Sequence, residues 1–559
     1  MANIRWITLL IAGVLIFAAG LSACSDESDI IRIRPTEAIV TEATLPIAET
    51  SAPAPTASVT TAERLPESSP ATSKAPDQTT VSGSSATPTI PIGSDILTEP
   101  VPTLPATTEP ATTTVTTTAK PITTMTTTPK VTTTRTTPVT TPVTTPVTTP
   151  VTTPTTTPAT TAPDTDRIPL LYEDVKAMWI SQYDMNPIYT DGEDGKVQRD
   201  IESYTQLVRA MLDRIKALGF NTVFLQVRPN ADSMLPSEYY PMSKYVVGEY
   251  GKETVYDPIT VFLEEAHQRG LSVHAWINPL RCMKDTEITS VDVRYKIRQW
   301  YDDKEKNGKY IVLYNGLYYL NPAYEEVRQL IVDGAAELLR THAFDGLHMD
   351  DYFYPTVNSS FDADAYNDYV GAGGLLELSA FRRENLNLLV SSLYAATKSV
   401  SRHLPYGISP AGEIDKVYET HLADVYKWCA EEGFIDYICP QVYFGFEHDT
   451  LDFVSVCEIY RSIIKTDSVK LIIGVTFGKA LNGYDSWAGS GMYEWRDHKD
   501  VLMRSLLYTQ TMEECIGVSV FCYQYFYDPI TGEAIEATAQ EVANFTPLLH
   551  EISWKKESE

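Results

Sequence analysis

The chain has 559 residues, a formal net charge of −29 and 43% hydrophobic residues. This acidity argues against a nucleic-acid partner, because surfaces that bind nucleic acid are basic. The seven cysteines show no CxxC or metal-finger spacing, so they indicate small buried residues rather than a zinc site, although one or two disulfides stay open.

The N-terminus has the pattern of a bacterial secretory signal. Arg5 precedes an apolar run, 6–20, that is shorter than the roughly 20 residues needed to span a membrane. The run ends in Leu21-Ser-Ala-Cys24, which resembles a lipobox, so residues 1–24 are predicted to be a lipoprotein signal peptide with Cys24 as the lipidated residue. The alternative is an ordinary signal peptide with a chance cysteine. A lipid anchor would hold the protein on the extracellular face of the bacterial cell membrane.

Residues 25–166 are rich in Thr, Pro, Ser and Ala and carry almost no hydrophobic periodicity. Such a composition cannot bury enough apolar surface to offset chain entropy, so it predicts a disordered linker. Ser and Thr beside Pro also suit O-glycosylation. A polyproline-like chain of this length would span about 400 Å. We interpret the linker as a stalk that could carry a domain from the membrane into the cell wall.

Residues 167–550 are predicted to form one folded domain in which strand-like runs alternate with helical patterns. The predicted strands are 176–184, 222–229, 272–279, one within 344–355, 405–410, 436–443, 469–476 and 517–524. The predicted helices are 204–218, 258–270, 291–306, 321–341, 375–400, 422–432, 451–465, 498–512 and 533–545. A hairpin within 310–319 is predicted to turn at Asn315-Gly316.

Strands that alternate with helices imply right-handed βαβ units and a parallel sheet. Eight such strands predict an α/β fold, a closed (β/α)8 TIM barrel with long loops. The alternative is an open doubly wound sheet, but no Gly-rich phosphate loop follows the first strand.

The fourth predicted strand ends in two carboxylates, Asp350 and Asp351, followed by an aromatic run. Side chains alternate along a strand, so His348 and Asp350 share one face, while Leu347 and Met349 share the other. The alternative is a structural Asp that caps the next element. A His and an Asp on one face of a core strand indicate that this face lines a polar site.

Active sites of TIM barrels lie at the carboxyl ends of the strands. Polar and aromatic residues stand at or just beyond several of the predicted ends: Arg228, Asp232, His274, Trp276, Asn278, Arg281, Glu413, Gln441, Tyr443 and Glu447. Alternation gives strands two and three one polar and one aliphatic face, and the aliphatic face should pack on the helices. We therefore expect Gln226, Arg228, His274, Trp276 and Asn278 to point toward the barrel mouth.

A carboxylate pair can hydrolyse glycosidic bonds, one group as acid and the other as nucleophile or base. Aromatic side chains stack on sugar rings, and Asn, Gln, Arg and His bind hydroxyls. The alternative is a metal site built from His274, His348 and Asp350. Because the chain has no HxH or HExxH pattern, we predict neither a metal nor a cofactor.

Six motifs together resemble the glycosyl hydrolase-like 10 family. They are Phe224-Leu-Gln-Val-Arg-Pro-Asn-Ala-Asp232, His274-Ala-Trp-Ile-Asn-Pro-Leu-Arg281, Leu320-Asn-Pro322, Asp345-Gly-Leu-His-Met-Asp-Asp-Tyr-Phe-Tyr-Pro355, Ile408-Ser-Pro410 and Pro440-Gln-Val-Tyr443. The likeness extends over roughly 176–527 and implies a glycoside hydrolase barrel related to the α-amylase type. One branch of the family cleaves peptidoglycan glycan strands without stem peptides, so the resemblance favours cell-wall glycan as substrate.

By this resemblance, Asp350 occupies the strand-four position of an amylase-type nucleophile. Glu413 follows strand five, where such barrels often place the acid, and Asp351 and Glu447 are the other candidates for the second carboxylate. The predicted substrate-binding residues are Arg228, Asp232, His274, Trp276, Asn278, Arg281, His348, Gln441 and Tyr443. The rival interpretation is a surface lipoprotein that keeps the barrel and binds glycan without cleaving it.

Overall fold

The computed structural model of the protein describes residues 167–191, 195–350 and 353–555. The predicted signal peptide 1–24 with Cys24, the predicted linker 25–166 and Asp351 lie outside these residues. Within the described ranges, no helix is both long enough and apolar enough to cross a bilayer.

Eight parallel strands close into a barrel, which confirms the predicted (β/α)8 fold. They are β1 (Val175–Ile180), β2 (Thr222–Arg228), β3 (Ser272–Ile277), β4 (Gly346–Met349), β5 (Tyr406–Ile408), β6 (Tyr437–Ile438), β7 (Lys470–Thr476) and β8 (Cys515–Phe521). Each strand pairs with the next one along the chain, and β8 pairs with β1 to close the ring.

Helices connect the strands, as the alternating patterns predict. The α-helices are Gln182–Tyr189, Ile201–Ala217, Lys244–Val247, Pro258–Gln268, Asp285–Ile288, Lys296–Asp302, Glu325–Thr341, Ala363–Gly371, Leu378–Val400, Ile414–Glu419, Val425–Ala430, Phe453–Ile463, Gly478–Asn482, Glu494–Asp497, Val501–Thr509 and Ala539–Glu551. Short 3-10 turns lie at Gly489–Gly491, Tyr523–Tyr525 and Glu536–Thr538.

The described residues also form two small antiparallel sheets outside the barrel sheet. One pairs Thr190–Asp191 with Val197–Gln198, and the other joins Arg281–Lys284, Ile311–Tyr314 and Leu317–Leu320. The predicted hairpin is confirmed, because Asn315 and Gly316 both have positive φ, as a two-residue type I′ turn requires.

The first strand ends earlier than its predicted boundary at residue 184. Ser181 accepts hydrogen bonds from the backbone N–H groups of Tyr183 and Asp184, and the Asp184 carboxylate accepts from the Ser181 N–H. This reciprocal capping box starts the helix Gln182–Tyr189 and stops the strand. Gln182 and Asp184 therefore lie in a helical turn over the barrel end.

Glycines make room for large side chains inside the barrel. A Cβ on Gly346 would lie 2.7 Å from the His274 ring, and one on Gly407 would lie 2.1 Å from the Tyr437 ring. The barrel centre is thus filled by a few aromatic and imidazole rings. The six described cysteines are free, buried thiols, as their apolar surroundings in the sequence predict.

Candidate active site

Asp350 lies directly after β4, and its side chain is almost completely buried. In register, His348 pairs with Trp276 of β3, and Trp276 pairs with Gln226 of β2. Residues paired in register point to the same side of a parallel sheet. Since His348 contacts rings across the barrel, all three side chains point inward, and so does Asp350, two residues beyond His348.

A row of hydrogen bonds crosses the carboxyl ends of the first four strands and finishes on Asp350. The backbone N–H of Gln182 donates to Gln226 Oε1 over 2.8 Å, and Gln226 Nε2 donates to Asn278 Oδ1 over 2.8 Å. Asn278 Nδ2 then donates to Asp350 Oδ2 over 2.5 Å. We call these four groups the amide chain.

The direction of the amide chain follows from its first member. A backbone N–H can only donate, so the Gln226 oxygen must face Gln182 and the Gln226 amide nitrogen must face Asn278. The same logic turns the Asn278 oxygen toward Gln226 and its nitrogen toward Asp350. The carboxylate of Asp350 therefore accepts a hydrogen bond from the Asn278 amide, and the backbone N–H of Gln182, three strands away, determines how that amide is oriented.

Below Asp350, a second hydrogen-bonded group fills the barrel interior. Trp179 Nε1 donates to His348 Nε2 over 3.0 Å, and the Tyr437 hydroxyl lies 2.9 Å from His348 Nδ1 and 3.1 Å from His274 Nδ1. The Phe224 ring stacks on the His348 ring at 4.1 Å between centroids. These residues form one packed layer, which we call the interior layer.

The interior layer also determines the proton positions on its histidines. The Trp179 N–H can only donate, so His348 carries its proton on Nδ1 and donates to Tyr437, whose O–H then donates to His274. Burial lowers the pKa of His274 to about 4 and the pKa of His348 well below its usual value. Both imidazoles are therefore neutral at pH 7.

The binding of substrate by His348 and His274 stays a prediction, and the contacts of both rings do not favour it. The His348 side chain has no exposed surface and both of its ring nitrogens are engaged inside the barrel. His274 lies two residues deeper than Trp276 and bonds Tyr437. The same two hydrogen bonds engage both ring nitrogens of His348, so they do not favour the metal site considered from the sequence.

Arg228 also departs from its predicted inward position. The β2–β3 register shifts between Gln226 and Arg228, so Arg228 pairs with Ile277 rather than continuing the inward row. One extra residue in a strand reverses the face of every later side chain. Arg228 instead points toward the helix Glu325–Thr341, stacks on Tyr240 at 4.0 Å and donates to the Gly334 carbonyl.

Asp232 is a structural residue in the loop after β2. It is fully buried, its Oδ1 accepts from the Asn230 N–H, and its Oδ2 accepts from the Tyr250 hydroxyl. Burial raises the pKa of this carboxyl, and the surrounding donors oppose that shift. These bonds hold the loop, and the contact of Asp232 with substrate stays a prediction that they do not favour.

Four other predicted residues lie around the mouth. Trp276 points inward beside the amide chain, and its indole N–H finds no acceptor among the described residues. Gln441 and Tyr443 are half-buried beyond β6, where Gln441 donates to the Ser409 carbonyl over 3.4 Å. Arg281 is half-buried, and its charge acts on Tyr245, which bonds Gln182.

The candidates for a second carboxylate are more exposed than Asp350. Glu413 precedes the helix Ile414–Glu419 and its side chain is exposed. Glu447 is about half exposed and lies 3.6 Å from His498. Asp351 lies outside the described residues, so the identity of the partner carboxylate stays a prediction.

Two residues of the site were not assigned a role from the sequence. Alternation along β2 indicates that Gln226 points inward, but its link to Asn278 depends on strand register. Asp184 accepts from the Gln524 N–H over 2.8 Å and ties the start of the barrel to its end, and burial raises its pKa to about 6. The Ser-x-x-Asp capping pattern is the signal that could have revealed it.

The described part of the chain holds no group of three or more His, Cys, Asp or Glu side chains arranged for a metal ion. A groove of about 730 Å3 lies elsewhere, on the outer side of the barrel along Asp333, Glu337 and Arg340, and includes none of the mouth residues. Neither observation moves the site away from Asp350.

The family comparison covers most of the barrel. A model described as glycosyl hydrolase-like 10 matches residues 174–485, more than half of the chain. Glycosyl hydrolase YngK of Bacillus subtilis (strain 168) is 29% identical over 330 residues, which cover 56% of this chain and 62% of YngK. The chain thus spans less than two thirds of the length of YngK.

One further curated relative and one solved structure are also similar to this chain. Glycosyl hydrolase DigH of Escherichia coli (strain K12) is 28% identical over 356 residues, which cover 58% of this chain and 76% of DigH. The solved glycoside hydrolase domain of PgaB (BpsB) from Bordetella bronchiseptica has a TM-score of 0.42 and 13% identity, over 66% of this chain and 98% of that domain. On the extent of the family match, the chain belongs to the glycosyl hydrolase-like 10 family.

Proposed function

We propose that the protein is a glycoside hydrolase that cleaves glycan strands of the bacterial cell wall while anchored to the membrane through Cys24. The observation that carries the catalytic part is Asp350, a buried carboxylate at the carboxyl end of β4 with a fixed donor on one oxygen. Membership of the glycosyl hydrolase-like 10 family supports the reaction class.

The chemistry follows from what a held carboxylate can do. Asn278 favours the ionised form of Asp350, because a donor to a carboxylate stabilises its charge. An ionised carboxylate at this position can attack the anomeric carbon or activate a water, while a second, protonated carboxyl donates to the leaving oxygen. Separations of about 5–5.5 Å would indicate a retaining reaction and about 6.5–9.5 Å an inverting one.

The substrate assignment rests on the predicted anchor and stalk and on the family resemblance. A membrane-anchored domain on a stalk of about 140 residues would meet the glycan of the wall before other polymers. Its acidity also favours strands that have lost their stem peptides, since the carboxylates on those peptides would be repelled by the net charge of −29.

The test is the release of reducing ends from purified cell-wall glycan, prepared with and without stem peptides. We expect release from the peptide-free strands and little from the intact material. Co-sedimentation with the same glycan is measured in parallel. Binding without release from either preparation would overturn the catalytic proposal and favour the glycan-binding rival.

A further inference from the structure

Two side chains of the amide chain lead to Asp350 one through the other. Gln226 bonds Asn278, and Asn278 bonds Asp350. Gln226 and Asn278 are 5% and 1% exposed, so neither offers much surface to a polymer in the mouth. Each of the two amides uses its oxygen to accept from one neighbour and its nitrogen to donate to the next. Their geometry is that of a support for the carboxylate, not of a substrate contact.

Burial makes the orientation of these amides matter. If Asn278 turned over, its oxygen would face the Asp350 carboxylate, and two acceptors would meet without a proton between them. Water has little access to repair such a contact at this depth, so the unpaired groups would carry the full desolvation cost. Gln226 is the side chain that prevents this rotation, because its own nitrogen requires the Asn278 oxygen.

We infer that Gln226 is a positioning residue for Asp350 that acts through Asn278, with the backbone N–H of Gln182 setting the direction of the chain. The role in catalysis rests on the function proposed above, whereas the effect on the carboxyl of Asp350 does not. Gln226 thereby links the end of β1 to the reacting group on β4 through β2 and β3.

The test is a double-mutant cycle with Gln226→Met and Asn278→Leu, each close in shape to the natural residue and without hydrogen bonds. The pKa of Asp350 is measured by carbon NMR on protein labelled at aspartate, with Asp350→Asn used to assign its signal. We expect Asn278→Leu to raise this pKa by about 1–2 units, the loss of one charge-assisted hydrogen bond. Gln226→Met should raise it by a smaller amount.

The cycle decides between positioning and general packing. In the Asn278→Leu background, Gln226→Met should produce no further shift, because the hydrogen-bonded connection through Asn278 is gone. Equal shifts by Gln226→Met in both backgrounds, or no shift in the natural one, would overturn the inference. Asn385→Leu, which removes a buried amide on the helix Leu378–Val400, is the matched control and should leave the pKa unchanged.

Two further readouts keep the inference separate from the proposed function. If glycan is cleaved, the acid limb of the pH–rate profile should move to higher pH in each variant, by the same amount as the pKa of Asp350 measured by NMR. If the wild type cleaves nothing, the NMR cycle still tests the inference. If a variant does not fold, the test uses the side-chain amide NMR signals of Asn278 and Gln226 in the wild type. Both signals should shift with the same pKa as the carboxyl of Asp350. Shifts with a different pKa would contradict the hydrogen-bonded connection along the amide chain.

Discussion

Among single residues, the stability of the barrel depends on a few polar side chains that form hydrogen bonds with one another in the barrel interior. Tyr437 is the central one, because its hydroxyl joins the rings of His348 and His274. Both imidazoles are buried and neutral, so each needs a hydrogen-bond partner that carries no charge. A tyrosine hydroxyl, which donates to one ring and accepts from the other, satisfies both.

Replacing Tyr437 by Phe should lower the free energy of unfolding by about 1–3 kcal/mol, because it leaves two buried ring nitrogens without a partner. Urea denaturation at pH 7 measures the loss. Tyr426→Phe is the control, since the Tyr426 side chain is 39% exposed, and it should change stability by less than about 0.5 kcal/mol. Equal stabilities for the two variants would contradict the account of the interior layer.

The depressed pKa of His274 makes its contribution to stability depend on pH. The unfolded histidine binds a proton below about pH 6.5, whereas the folded one does so only below about pH 4. Between these values the unfolded state holds more protons, so the free energy of unfolding falls as the pH falls. The advantage of the wild type over His274→Gln should shrink by about 3 kcal/mol between pH 7 and pH 4. A constant difference in urea unfolding would show that His274 is not held neutral.

At the scale of elements, the helix Glu325–Thr341 is fitted closely against the loop after β2. Gly334 faces Tyr240 and Arg228, and a Cβ there would lie 2.4 Å from Tyr240 Cε2. Arg228 stacks on the same ring and bonds the Gly334 carbonyl. The outward turn of Arg228 at the bulge is thus part of how this helix packs on the barrel.

Gly334→Ala should destabilise the protein by about 1–3 kcal/mol through overpacking, even though Ala favours a helix more than Gly. The matched control is Gly371→Ala at the exposed end of the helix Ala363–Gly371, where a Cβ meets no atom within 4 Å. That variant should be neutral or up to about 1 kcal/mol more stable. Thermal unfolding compares the two, and a stabilising Gly334→Ala would refute the close fit.

The same elements show what the sequence could and could not predict. Alternation along β4 placed Asp350 on the inward face correctly, because no irregularity interrupts that strand before it. The same alternation gives the wrong face for Arg228, because the residue types of β2 do not indicate the bulge before it. The roles of His348 and Asn278 also needed three-dimensional partners, Trp179 and Gln226, that lie on other strands.

At the scale of the whole molecule, the barrel is closed by contacts between its first and last strands. β1 pairs with β8, and the Asp184 carboxylate after β1 accepts from the Gln524 N–H after β8. Eight alternating strand and helix patterns predict this closure, because eight parallel strands with helices between them are the (β/α)8 barrel arrangement. The anchor and the stalk remain predictions from composition and the lipobox pattern.

The predicted lipid on Cys24 should place the protein in the membrane fraction. Cys24→Ser should abolish labelling by a radioactive fatty acid and move the protein out of the membrane fraction, because the substituted side chain has no thiol to acylate. Ser22→Ala is the control, since it leaves the cysteine in place and should still be labelled. Membrane association of Cys24→Ser would show that the signal is not cleaved or that another segment holds the protein.

Asp350 performs the cleavage in the proposed function, and the substitution Asp350→Asn removes its ability to do so. The substitution keeps an oxygen that can accept from Asn278, so the barrel should stay folded, which thermal unfolding can verify. Reducing ends are then followed over time on peptide-free glycan strands for both proteins. We expect the wild type to release them and the variant to lose at least about 1,000-fold in rate, the size of effect seen when an essential catalytic group is removed. Cleavage by Asp350→Asn at the wild-type rate would contradict the assignment.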